Sequence, residues 1–506
     1  MSLLELCLAV LILYTTNIDC ARILGVYATP SISHQVVFRA LSLELVNRGH
    51  EVVVITPDPA FRNKIAPENL TEIDIGQSYG LLQDLLFTGE VATTLKRGVI
   101  MDLISVTKLK TNPLVKLGLE MLLYPEVKRL IADKSQKFDL VLVEALSYSA
   151  LMFSKIYNAP AILFSSFYGT PDNFFTVGAV SRHPVLHPHF FRYKFRDLSI
   201  TEKIKEFKNE WDLYKYDVVC EQLENEFLKS EFGVDAPTVH ELKDYVELLF
   251  VNAHPIFDGN RPVPPGVVYL GALHLKPTKP LPADLQAYLD GSTRGVIYVS
   301  LGTNVRPSMM DQDLLDAFLK AFEALPYDIM WKFDGDSLER TPKNFRIQKW
   351  FPQRDLLAID AELPMVGVPF LGDQWFNVNK YVELGIGIEV DSRTLTADKL
   401  VKAAQKVIGD DSFRKNISKL HAVMRDQPDK PLDRAVWWTE YVLRHGRSKS
   451  LLGTSALMSW SEYLMMDLFV IIVAGVTVAV LVATAALYYV VSILMYVNNN
   501  VKRKQA

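Results

Sequence analysis

The chain is predicted to fold as two Rossmann-like α/β domains facing each other across a cleft, followed by one C-terminal transmembrane helix. Three observations carry this expectation. Short apolar runs alternate with helical repeats in both halves of the 506 residues. A proline-rich stretch separates the halves, and an uncharged apolar run, Leu468 to Val491, lies near the end. A chain of this length buries two ordinary cores without metal or disulfide staples. The net charge of -4, with both signs interspersed, offers no basic face, which excludes nucleic-acid partners.

From the N-terminus, Leu8 to Tyr14 is an apolar run too short to cross a bilayer, and it ends at the small residues Cys20 and Ala21. Residues 1–20 therefore read as a cleaved signal peptide; the alternative is a buried first strand. Cleavage there leaves Cys220 as the one cysteine of the mature chain, which excludes an internal disulfide.

Ile23 to Ala28 reads as a buried strand closed by Thr29-Pro30. Val37, Leu41 and Leu45 then repeat at helical spacing, and Arg48-Gly49 supplies a basic last turn and a stop. Val52 to Ile55 is a second strand, giving a βαβ unit with a right-handed crossover. The same rhythm recurs at Phe138 to Val143 and Ala161 to Phe164, as expected of a parallel sheet. The stretch from Pro171 to Leu242, with its His187-Pro188-His189-Phe190-Phe191 run, suits an apolar pocket. These features define an N-terminal domain over residues 21–258.

Pro262, Pro264, Pro265, Pro277, Pro280 and Pro282 mark residues 259–283 as a linker. Alternation restarts at Val296 to Ser300, continues through a helix over Leu314 to Leu325, and then through Ile329 to Phe333, Phe345 to Gln348 and Met365 to Pro369. This is the second domain, residues 284–446. A juxtamembrane segment follows at 447–466, with the transmembrane helix at 467–495 and a tail at 496–506. Asp467 precedes the apolar run while Lys502, Arg503 and Lys504 follow it, so the positive-inside rule puts the tail in the cytosol and the bulk of the chain in the lumen. Lys502 and Lys504 also resemble a dilysine signal for retrieval to the endoplasmic reticulum; the plain alternative is a stop-transfer charge cluster. In this topology Asn69-Leu70-Thr71 and Asn416-Ile417-Ser418 are sequons open to glycosylation.

The second half contains specific phrases: Tyr298-Val299-Ser300-Leu301-Gly302-Thr303, Lys349-Trp350-Phe351-Pro352-Gln353 and Pro364-Met365-Val366-Gly367-Val368-Pro369-Phe370-Leu371-Gly372-Asp373-Gln374. With Gly49-His50 and Trp437-Trp438, they resemble the membrane-bound UDP-glycosyltransferases of animals, particularly the insect forms of glycosyltransferase family 1. The resemblance runs from signal to tail. It implies a GT-B fold, an endoplasmic-reticulum membrane location and inverting transfer of a sugar from a UDP-sugar co-substrate to a hydroxyl of a small lipophilic acceptor. Glucose is the implied sugar, with no metal and no further cofactor. His34 matches the family's catalytic histidine, and imidazole suits proton abstraction near neutral pH. Glu144, after the strand ending at Val143, is the candidate to orient it, although many relatives carry Asp there. Trp350 and Gln353 match a uracil-binding corner, Asp373 and Gln374 match the pair on the sugar hydroxyls, and Ser300, Gly302 and Thr303 line the phosphate side.

One part of the family pattern is missing. Leu356-Leu357-Ala358 runs directly into Ile359-Asp360-Ala361-Glu362, so a β-turn-α unit of roughly twenty residues is skipped between 358 and 359. In the family that unit carries the diphosphate site and the acid that holds the ribose. Two readings follow. One is a working transferase, alone or in homo- or hetero-oligomers. The other is a catalytically silent shortened isoform that binds acceptors or pairs with active transferases.

Overall fold

A computed structural model describes residues 20–87, 113–275, 280–302, 305–349, 351 and 361–505, apart from isolated positions at 191, 193, 196, 336, 337, 339, 340 and 371. The signal segment before Cys20, the join at 358 and 359, and Thr303, Trp350 and Gln353 lie outside the described residues.

Seven parallel strands form the first sheet, in the order β3-β2-β1-β4-β5-β6-β7. They are β1 (Arg22–Val26), β2 (Glu51–Thr56), β3 (Leu70–Asp74), β4 (Leu140–Glu144), β5 (Ala161–Ser165), β6 (Val246–Val251) and β7 (Val267–Tyr269). β4, β5 and β6 are buried along their whole lengths, the pattern of a sheet covered on both faces. Helix α1 (Ile32–Asn47) makes the first crossover, with Val37, Leu41 and Leu45 buried against the sheet. Gly49 follows it at φ +94°, a left-handed position that glycine adopts without strain.

Two features depart from the sequence expectation. The proline-rich stretch holds β7, an edge strand, with Pro262, Pro264 and Pro265 confined to the approach before it, where a missing N–H interrupts no ladder. Helix α6 (Pro431–His445) packs back on α1 of the first half, burying Ala435, Val436 and Val442 in the core that holds Phe38 and Leu41. Arg48 pairs with Asp433 at 3.3 Å and Arg434 donates to the Tyr269 carbonyl at 3.0 Å. The apolar face of α6 is periodic, but periodicity does not name the surface that covers it.

The second half has β8 (Val296–Val299), β9 (Asp328–Lys332), β10 (Phe345–Gln348), β11 (Met365–Gly367) and β12 (Gly387–Glu389). Helices α3 (Gln312–Ala324), α4 (Gln374–Glu383) and α5 (Ala397–Gly409) accompany them. Among the described residues the strands pair as β10-β9-β8 and, separately, as β11-β12. Doubly wound sheets run 3-2-1-4-5-6, the order that the first sheet follows. The second half thus shows 3-2-1 and the last two strands, with no described strand in fourth place between β8 and β11. That is where the skipped segment would supply one.

The core bridges this break, since Val299 of β8, Val366 and Val368 at β11 and Ile388 of β12 pack around the same Trp331, Phe318 and Phe322 cluster. Burial is shallower all the same: β8 reaches full burial only at Val299, and β10 and β11 are half-buried throughout. Backbone amides next to an unfilled strand position open more readily. Hydrogen exchange followed by mass spectrometry is expected to show β8 and β11 exchanging faster than β1, β4 and β5. Equal protection would mean that the position is occupied.

Residues 454–506 form a separate unit. Its helix α7 (Met466–Gln505) contains a stretch, Met466–Asn500, within which an 18-residue window reaches a mean hydropathy of 2.8. At about 1.5 Å per residue those 35 residues exceed the roughly 30 Å of a bilayer core.

Candidate active site

The order of the first sheet reverses between β1 and β4, and their C-terminal ends lie side by side, with Val26 opposite Val143. Such a switch point opens a crevice at the strand ends. His34, in the first turn of α1, enters it from one side and Glu144, the last residue of β4, from the other. Nδ1 of His34 stands 3.0 Å from Oε1 of Glu144, which is 1% exposed. The other carboxylate oxygen accepts from the Thr29 backbone N–H at 2.8 Å. A carboxylate only accepts, so Nδ1 carries the hydrogen and Nε2 is left as the acceptor of a proton.

An apolar wall adjoins the imidazole. The Phe167 ring lies 5.4 Å from that of His34 and packs edge-on against Phe190 at 5.5 Å. Phe167 stands two residues beyond β5, so its place beside His34 follows from the pairing of β4 with β5.

The second half meets this crevice through α4. Tyr168 donates to Oδ1 of Asn377 at 2.9 Å and stacks edge-on against Phe376 at 4.8 Å. Asp373 opens α4, and its Oδ2 accepts from Nδ2 of Asn377 at 3.0 Å. Part of its surface stays accessible, yet the protein crowding the cleft raises its carboxyl above the usual carboxylate range. The Asn377 hydrogen bond and the His34 imidazole pull it the other way. The close approach of β11 to α4 holds Asp373 in place: a Cβ on Gly367 would stand 2.5 Å from Cγ2 of Val378.

Gln374 is partly engaged inside the fold, its side-chain oxygen accepting from the Phe370 N–H at 2.8 Å. At the end of β8, the Gly302 N–H donates to Oγ of Ser300 at 3.3 Å, and Nζ of Lys332 donates to the Gly302 carbonyl at 2.8 Å. Gly302 has φ +85° and open space where a Cβ would be. Burial lowers the Lys332 ammonium from its ordinary range, with Asp334 opposing. Lys332 and the Tyr168–Asn377 bond had no sequence signal: the first reads as a strand end, and the second joins residues 209 positions apart.

The sequons are structurally engaged as well. The Asn69 amide donates to the Val46 and His50 carbonyls at 2.9 and 2.8 Å, and a glycan on it would replace one of those bonds. The exposed Asn416 amide donates to the Gly385 carbonyl at 3.0 Å. No group of three or more His, Cys, Asp or Glu suited to a metal ion occurs among the described residues.

Comparison with known proteins agrees with this architecture. The chain is 37% identical to an ecdysteroid UDP-glucosyltransferase of Spodoptera littoralis nuclear polyhedrosis virus, over 89% of this chain and 94% of that protein. It is 30% identical to UDP-glucosyltransferase 2 of Dactylopius coccus, over 92% of each. The viral alignment is 485 positions long yet takes in 89% of the 506 residues here, so that relative carries residues opposite which this chain has none. Among solved structures, the calicheamicin glycosyltransferase CalG4 superposes with a TM-score of 0.53 at 17% identity, over 85% of this chain and all of that one. Arabidopsis thaliana UGT89C1, complexed with quercetin, gives 0.52 at 15% identity, over 83% and 99%. These two share the GT-B fold of paired α/β domains. The profile described as UDP-glucoronosyl and UDP-glucosyl transferase matches residues 23–503, and the chain belongs to that family of glycosyltransferases.

Proposed function

We propose that this glycosyltransferase moves glucose from UDP-glucose to a hydroxyl of a steroid-sized lipophilic acceptor with inversion, and that His34 is the base. The 3.0 Å contact between His34 and Glu144 at the switch point carries the proposal. As the acceptor oxygen bonds to the anomeric carbon, its proton passes to Nε2 of His34. The bond from that carbon to the UDP oxygen breaks, and the electron pair leaves with UDP. Glu144 stabilises the imidazolium through Nδ1–H. The Phe167 and Phe190 wall and the ecdysteroid named for several relatives support a lipophilic acceptor. In this reading Asp373 and Gln374 hold sugar hydroxyls, Trp350 and Gln353 hold uracil, and Ser300, Gly302 and Thr303 face the phosphates. The test is UDP-glucose with a panel of sterol and phenol acceptors in membranes, scored for a β-glucoside.

A second reading rests on the divided second sheet: the chain binds acceptors or active family members without turning over. Acceptor binding with no UDP release would select it.

The C-terminal helix supports membrane anchoring. We infer a single-pass protein of the endoplasmic-reticulum membrane, catalytic domains in the lumen and tail in the cytosol. In intact microsomes the bulk of the chain is expected to resist protease while a tag after Ala506 is digested; a protected tag would reverse the topology. Changing Lys502 and Lys504 to Ser is expected to release the protein from the endoplasmic reticulum, and unchanged retention would show the tail signal to be dispensable.

A further inference from the structure

Helix α2 (Ile200–Phe232) has two unlike faces. The inner face buries Leu213, Tyr216, Cys220 and Leu228. It also directs negative charge inward: Glu206 and Glu210 each reach Arg192 at 3.1 Å, and Asp217 pairs with Arg182. The outer face carries Ile200, Ile204, Phe207, Trp211, Tyr214 and Val218 at alternating spacings of four and three. The first four are 78%, 65%, 67% and 54% exposed. A soluble surface helix ordinarily turns such a stripe toward its core; this one turns it to solvent over about five turns, with Tyr214 half-buried against Arg182.

The rim of the stripe is basic. Lys203 lies on one side, Lys208 and Lys215 on the other, and the Lys215 ammonium sits 5.5 Å from the Trp211 ring. The outward carboxylates of this stretch are held by lysines, Glu202 by Lys194 at 2.8 Å and Asp212 by Lys208. Exposed Trp, Phe and Ile bordered by lysines with long apolar stems match the needs of a helix lying in a headgroup layer.

We propose that the outer face of α2 lies in an anionic bilayer surface, as a second membrane contact of this chain. The proposal rests on the anchoring read from α7 only in that α7 keeps a bilayer at hand. A second copy fits the face less well. Lys203, Lys208 and Lys215 would flank the seam, where like charges repel, while Glu210 and Asp217 are already turned inward to arginines.

The full chain, carrying Phe207→Cys, Trp211→Cys or, as an aqueous control, Lys343→Cys, is labelled with an environment-sensitive fluorophore. The unsubstituted chain, labelled alike, sets the background. In nanodiscs containing lipid nitroxides, quenching at 207 and 211 is expected to exceed that at 343 severalfold, and more so with phosphatidylserine than with phosphatidylcholine alone. Lys203→Glu, Lys208→Glu and Lys215→Glu together should remove the phosphatidylserine dependence. Quenching at 207 equal to that at 343 would overturn the proposal. So would efficient 207-to-207 cross-linking between copies, which assigns the face to a second chain. Entry into the discs reports α7 alone; if the chain stays out, nitroxide-bearing vesicles of the same lipids replace the discs, and unquenched 207 is again fatal to the proposal.

Discussion

Restoring the family's β-turn-α segment between Ala358 and Ile359 is expected to raise the affinity for UDP on the order of 100-fold or more. The divided second sheet is the reason. With no described strand between β8 and β11, no helix N-terminus follows a fourth strand among the described residues. Unsatisfied N–H groups at such a terminus are a principal means of binding a diphosphate. Hydrogen bonds to a charged group contribute about 1.5–3 kcal/mol each, so two of them account for on the order of 10²- to 10⁴-fold at about 1.4 kcal/mol per tenfold. In the chain as it stands, the proposed contacts grip the two ends of the nucleotide sugar. Calorimetric titration of UDP into both chains, the segment grafted from the Spodoptera littoralis virus relative, measures the difference. Equal affinity would assign the phosphates to the Ser300 to Gly302 loop and Lys332, and would make the present chain a complete donor site.

The first half was the more legible in the sequence. Its strands β1, β2, β4 and β5 hold the apolar runs read from the sequence, its first crossover helix repeats at Val37, Leu41 and Leu45, and all three residues are buried, whereas β3, Leu-Thr-Glu-Ile-Asp, holds no such run. His34 was picked out by the family resemblance and Glu144 by its place at a strand end; the doubly wound order, which sets the ends of β1 and β4 side by side, accounts for their 3.0 Å contact. Placement of α6 against α1 was not, since an amphipathic helix states that it needs a cover and leaves the cover unnamed. β7 was hidden by prolines that disfavour a central strand and are harmless at the approach to an edge. The missing segment showed itself by comparison with the family pattern, while its consequence, a sheet parted at the fourth position, required the strand order. The cleft contact between Tyr168 and Asn377 joins distant parts of the chain through two ordinary residues, and no local periodicity marks it.

His34→Ala, made in the chain with the segment restored, is expected to lower the transfer rate by about 10²- to 10⁴-fold, the usual reach of a positioned general base. Acceptor affinity is expected to stay within a few-fold, because Phe167 and Phe190, rather than the imidazole, offer the apolar surface. Glu144→Gln separates orientation from charge. The glutamine oxygen still accepts one bond, from Thr29 N–H or from His34 Nδ1–H, but it brings no negative charge to the imidazolium. A smaller loss than that of His34→Ala is therefore expected, confined to kcat. Single-turnover rates with saturating acceptor, alongside acceptor binding measured by titration, distinguish these outcomes. A His34→Ala rate within a few-fold of the parent would remove the imidazole from the chemistry. Asp373, which opens α4 beside the Tyr168–Asn377 contact, would then be the group to replace next.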